Sequence, residues 1–236
     1  DAHNYVGWFW KESATAGFDI VTYTGNGSNR TISHGLSAAL DFIMIKNRAT
    51  TNQWCIYNRP RGAEKFLHLD GSDTESDAST PWQDTEPTSS VFSVGASNLT
   101  NGDGNAMIAY CFAPKQGFSK FGLYNGNNNA NGPFVYLGFR PAFIMFKNIE
   151  AAEAWMLFDN KRSGSNGSSP AGNYQLQPNL SDDENSGGPA AYMDFCSNGF
   201  KLRTATNSLN VAQKYIYMAF AEAPFVNSNG VPVNAR

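Results

Sequence analysis

The chain has 236 residues, of which 16% are charged and 14% aromatic, with 22 Gly and 11 Pro. That is enough chain for one large domain or two of about 100 residues, and the low charge leaves Asn, Ser, Thr and Gln to carry the polar surface. A formal charge of −3 gives no basic footprint, so nucleic acid is not an expected partner, and no apolar run approaches the ~20 residues needed for membrane insertion.

In chain order, the first pattern is Tyr5-Val6-Gly7-Trp8-Phe9-Trp10. It stands ahead of Gly17 much as Met107–Phe112 stands ahead of Gly117. Residues 1–13 therefore read as the closing strand of a preceding repeat or an N-terminal extension, and the natural polypeptide is expected to extend further toward the N-terminus. Short apolar runs bounded by turn formers then predict strands at 18–24, 30–35, 41–47, 53–58, 65–69, 91–95 and 106–113. Phe42–Ile45 and Trp54–Tyr57 are apolar on both pleat faces, as in strands covered on both sides, whereas Ser90–Val94 alternates. Asn-Gly pairs at 26–27, 101–102, 131–132 and 229–230 signal tight turns. Segments 70–90 and 159–173 read as long loops, too polar and too rich in turn formers to pack. No segment sustains a 3.6-residue period, so little helix is expected.

The second half repeats the first. Gly17–Gly27 recurs from Gly117, Asp41–Asn47 as Ala142–Asn148, and Trp54–Asn58 as Trp155–Asp159. Ser72–Glu75 answers to Ser181–Glu184, and Ile108–Ala113 to Ile216–Ala221. Five blocks in one order, with slowly growing offsets, describe a shared fold with small loop insertions. The expected class is all-β: two tandem sandwich-like repeats of about 100 residues, jelly-roll or lectin-like. Their bounds are 14–113 and 114–225, followed by a C-terminal tail at 226–236.

The residues YVGWFWKES, AGFDIVTYTGNGS and ISHGL, then AYCFAPKQGFSKFGLYNGN and GPFVYLGFRPAFIMFKN, and finally SNGFKL and YIYMAFAEAPFVNSNGVPVNAR carry a resemblance across nearly the whole chain. They resemble a β-rich repeat domain of uncharacterised biochemical role found in tail-fibre-like and other virion proteins of marine tailed phages, notably those infecting cyanobacteria. The first copy departs from the pattern where Pro is expected, with Ala39-Leu40 opposite Arg140-Pro141. The resemblance implies a structural or receptor-binding virion role and supplies no catalytic motif.

Candidate sites follow from residue chemistry. Trp82, with Gln83, Asp84 and Asp73 nearby, is a candidate glycan contact, because the apolar face of a pyranose stacks on an aromatic ring; a loop anchor folded onto the domain is the plainer alternative. Lys161 and Arg162 could meet an anionic surface glycan. The acidic loops, with Asp70, Asp73 and Glu75 in one copy and Asp182, Asp183 and Glu184 in the other, are candidate Ca²⁺ sites rich in oxygen. Their spacing matches no EF-hand, and a solvated acidic loop is the commoner reading. Otherwise no cofactor is expected. His34 is replaced by Leu137 in the second copy, and Cys55, Cys111 and Cys196 lie in apolar runs with no metal-ligand spacing. No hydrolase or phosphate-loop motif is present, so an enzyme is not expected. The leading expectation is a phage tail-fibre or receptor-binding module on the virion. It would contact host cell-surface polysaccharide, work beside other virion proteins, and assemble as a homo-oligomer, a trimer by the usual symmetry of such fibres. A non-catalytic capsid decoration or fibre spacer is the first alternative, and a glycan-degrading enzyme the second.

Overall fold

The computed structural model describes residues 5–162, 174–184 and 193–222. The described residues are almost entirely β, with a single short helix at Asn98–Asn101 and one 3-10 turn at Arg59–Arg61. The N-terminal half supplies β1 (Phe18–Thr24), β2 (Arg30–Ser33), β3 (Phe42–Asn47), β4 (Cys55–Asn58), β5 (Lys65–His68), β6 (Ser76–Asp77), β7 (Val91–Val94) and β8 (Ala106–Phe112). The C-terminal half supplies β9 (Ser119–Asn125), β10 (Phe134–Tyr136), β11 (Pro141–Asn148), β12 (Met156–Asp159), β13 (Gln175–Leu176), β14 (Met193–Cys196), β15 (Gly199–Leu202) and β16 (Lys214–Ala221).

These strands form four antiparallel sheets. The first half gives a six-stranded sheet in the order β1-β8-β3-β4-β5-β6 and a two-stranded sheet β2-β7; the second gives β13-β12-β11-β16-β9 and β10-β15-β14. Read from β9 to β13, the second large sheet runs in the strand order that the first uses from β1 to β5. Each half is a sandwich of its large and small sheet, and the two large sheets pack against each other, so four layers enclose three cores.

This layering explains why the central strands are apolar on both faces. Side chains alternate across a strand, so Ile43 and Ile45 enter the N-terminal core while Phe42 faces the core between the large sheets. In the same way Ile144 and Phe146 fill the C-terminal core while Phe143 and Met145 face the middle one. The seven strands expected in the first half all form. The loop at 70–90 does pack, contrary to its polar composition: Ser76–Asp77 adds β6 beside β5, and Trp82 is buried in the N-terminal core. Within this chain residues 5–12 form no strand. The place beside β1 is taken by β8 of the same half, and Trp8 and Trp10 pack instead on Phe143. The expected tail at 226–236 lies outside the described residues.

Buried polar side chains fasten the strand ends in both halves. Asn101, fully buried, donates to Asn26 Oδ1 at 2.9 Å and Ser28 O at 2.7 Å. Asn210, also fully buried, donates to Asn127 Oδ1 at 3.0 Å and Asn129 O at 2.8 Å. The Tyr23 hydroxyl bonds Thr100 O, and the Tyr124 hydroxyl bonds Leu209 O. Gly25 and Gly126 lie against the facing backbone, where an added Cβ would stand 2.0 Å from Gly102 O and 1.9 Å from Val211 O.

Candidate functional site

The acidic loop after β5 joins the two halves. Asp70 Oδ1 accepts the Trp54 amide at 3.0 Å, as Asn179 Oδ1 accepts the Trp155 amide at 3.0 Å. Glu75 takes the Arg61 Nε and Nη2 at 2.8 and 2.5 Å, and Asp73 lies 3.7 Å from His68 Nδ1. Three bonds cross to the C-terminal half: Lys147 Nζ to Ser72 O at 3.1 Å, the Glu75 amide to Ile149 O at 3.1 Å, and Trp155 Nε1 to His68 O at 2.8 Å. A calcium ion gathers six to eight oxygens, and here Asp70 and Glu75 are already engaged in holding the fold. Among the described residues no three metal-ligating side chains converge.

Trp82 belongs to the core and not to a glycan surface. Its ring is 1% exposed and stands edge-on to Tyr57 at 5.7 Å, so no sugar can stack on it. Gln83, at φ 56°, turns its amide inward to Arg30 O and Val94 O at 3.1 and 2.6 Å. Asp84, at φ 45°, is exposed beside it. Together Gln83 and Asp84 form the turn that drives the indole into the sandwich.

In the second half, Arg162 is clasped by Asp159 at 2.5 Å and Glu184 at 2.7 Å, with its guanidinium 5.7 Å over the Trp8 ring. Burial works to raise the Asp159 carboxyl, but the bonds from the Arg162 side chain and from the Arg162 and Lys161 amides hold it below its usual range. Lys161 pairs with Glu222 at 3.3 Å. Asp182 and Asp183 are exposed. The remainder of these loops, 163–173 and 185–192, lies outside the described residues. Of the candidates, Asp84, Lys161, Asp182 and Asp183 thus stand at the surface, while Trp82, Gln83, Asp70, Glu75 and Arg162 hold the fold. His34 is nearly buried, which pushes its pKa down, and its Nε2 lies 3.3 Å from Thr88 O. Cys55 and Cys111 are buried free thiols with pKa values raised by burial, whereas Cys196 is half-buried.

A large open concavity lies elsewhere. A groove of about 1070 Å³ runs between the N-terminal segment, the link after β8 and the ends of β11 and β16. Trp8 and Trp10 form one wall, edge-on to Phe143 at 5.7 and 5.3 Å between centroids. Phe118 and Phe220, 5.6 Å apart, form another. Phe9 is 95% exposed, and Lys11, Lys115 and Gln116 supply polar groups. Among the described residues that line it there is no carboxylate. Aromatic faces beside hydrogen-bond donors suit a ligand with alternating apolar and hydroxylated surfaces, such as a sugar chain. The signal that the sequence holds for this groove is three large rings within Trp8–Trp10, more than one sheet face would bury.

The model of a domain of unknown function, DUF7483, matches residues 1–224. The chain belongs to this family. No curated protein and no solved structure matches it. Within the DUF7483 match lie both sandwiches and every residue of the groove.

Proposed function

We propose that this protein is a non-catalytic attachment module of a phage virion appendage, a tail fibre or receptor-binding part that holds host-surface glycan in the aromatic groove. The groove carries this reading: it is open, walled by rings and flanked by two lysines, with no carboxylate among its described lining residues. The resemblance of the chain to β-rich repeats of phage virion proteins supports the same reading. Glycoside hydrolysis would call for a pair of carboxylates across the bound sugar, and none stands among the described residues that line the groove. A homotrimer, in contact with other virion proteins, is the assembly that goes with this role.

The test is attachment itself. Labelled protein is added to candidate host cells with and without competing surface polysaccharide. Saturable binding that the polysaccharide abolishes is the expected outcome. Absence of binding from folded, correctly assembled protein would overturn the reading in favour of a capsid decoration or spacer, and release of shortened sugars would return the protein to the glycan-degrading enzymes.

A further inference from the structure

The three-stranded sheet β10-β15-β14 has one face on the C-terminal core and one face to solvent. On the outer face of β10 stand Phe134, 46% exposed, and Tyr136, 59% exposed, two residues and therefore about 6.6 Å apart along the strand. Neither ring hangs free. A Cβ on Gly199 would meet Phe134 Cζ at 3.0 Å, so the missing side chain lets that ring lie down on the neighbouring strand. Lys120 Nζ sits 5.5 Å from the centre of the Tyr136 ring while donating to Tyr136 O at 2.8 Å. The strand register continues the row from Phe134 to Lys201 and on to Asp194, and Asp194 pairs with Arg203 at 2.6 Å. Lys120 and Lys201 therefore stand beside two positioned rings, with the Asp194–Arg203 ion pair beyond them on the same face.

We propose that this face is a second carbohydrate subsite, one that takes an acidic glycan such as a uronic-acid chain. Each ring offers a flat apolar surface to a sugar face, and Lys201 and Arg203 retain donors for its carboxylates and hydroxyls. Lys201 places one of its three donors on Gly132 O at 2.6 Å, which holds the ammonium over the sheet. The excess of positive charge selects an anionic chain over a neutral one. A protein partner fits poorly, because a stable interface covers about 800 Å² per side with an apolar centre, and here two rings are ringed by charge. The corresponding edge strand of the N-terminal half, β2, has Thr31 and Ser33 and no aromatic residue, so it offers no matching platform. The subsite deepens the glycan reading given above but does not share residues with the groove.

The experiment measures binding of a short oligogalacturonate to the whole protein by calorimetry, beside a neutral maltooligosaccharide and a short single-stranded oligothymidylate. Phe134→Ala and Tyr136→Ala are expected to weaken oligogalacturonate binding by about tenfold each, with thermal midpoints unchanged because both rings are exposed. Lys201→Gln combined with Arg203→Gln is expected to weaken it and to flatten its dependence on salt. Bound oligogalacturonate is also expected to slow alkylation of Cys196, which lies on this face beside Gly199. No binding by the wild type, undiminished binding by the doubly ring-deleted protein, or tighter binding of oligothymidylate would each overturn the proposal. Host-cell attachment that survives loss of both rings would sink the subsite alone, leaving the groove reading standing.

Discussion

The two halves hold the same strand order with different fillings. In the first large sheet Val21 faces Ala109 across β1 and β8; in the second, Gly122 faces Tyr217 across β9 and β16. Tyr217 lies so close over Gly122 that a Cβ there would be 2.4 Å from its hydroxyl. One half divides the volume between two modest side chains, and the other gives all of it to one ring. The same trade appears at larger scale. Phe146, Phe158, Phe200 and Tyr217 fill the C-terminal core from the strands, whereas the N-terminal core draws Trp82 in from a loop. What does not vary is the polar fastening by Asn26, Tyr23 and Asn101 in one half and Asn127, Tyr124 and Asn210 in the other. Core volume is exchangeable as long as it is conserved; a buried hydrogen-bonding group is tied to its geometry.

That contrast can be broken most severely at the backbone. Gly25→Ala and Gly126→Ala each force a methyl into a facing carbonyl, and both are expected to cost more than about 4 kcal/mol in denaturant unfolding. Next come the exchangeable fillings. Gly122→Val should cost about 3 kcal/mol by overpacking and Tyr217→Ala about 4 kcal/mol by leaving a cavity. The pair together should be more stable than Tyr217→Ala alone, because valine restores volume; strict additivity in the double-mutant cycle would refute the trade. The shared fastenings should respond alike: Asn101→Ala and Asn210→Ala are each expected to cost about 2 kcal/mol through orphaned buried groups.

A subtler difference is electrostatic. Lys147 is fully buried, and burial pushes its ammonium from the ordinary lysine value of 10.5 down to about 8. Between those values the unfolded chain binds a proton that the native one lacks, so this group makes stability rise with pH across that window. Cys55 and Cys111, whose thiols burial raises, act in the opposite direction above the ordinary thiol value of 9. The diagnostic is therefore the comparison with Lys147→Met: the wild type should gain on the variant as pH climbs from about 8 to 10. Parallel pH profiles would mean that Lys147 keeps its ordinary titration.

Much of the fold was legible because both faces of the central strands meet apolar cores. The pattern of Phe42–Ile45 and Cys55–Tyr57 cannot be satisfied by a sheet with one wet face, and β1 falls on the predicted 18–24. The candidate sites were legible only as chemistry, not as placement. Trp82 in a polar loop has the composition of a surface contact, and nothing local reveals that Gln83 and Asp84 turn it inward. Glu75 and Arg162 looked available because Arg61 and Asp159, which hold them, are close only after folding or read as ordinary surface charge. Asn101 escaped notice because Asn-Gly spells a turn, and its partner Asn26 lies 75 residues away. Phe134 and Tyr136 fall in a gap between the recurring blocks, where the sequences of the two halves share no residue pattern.

The most direct test of the proposed attachment compares three proteins on host cells: the wild type, a groove variant and a loop variant. The groove variant carries Phe9→Ala with Lys115→Gln, and the loop variant Asp84→Asn with Lys161→Ala; asparagine tolerates the left-handed backbone at position 84, so the turn that seats Trp82 is kept. The expected result is that the groove variant loses most of its polysaccharide-competed binding while the loop variant binds as the wild type does. Loss of binding in the loop variant, with the groove variant unaffected, would contradict attachment through the groove.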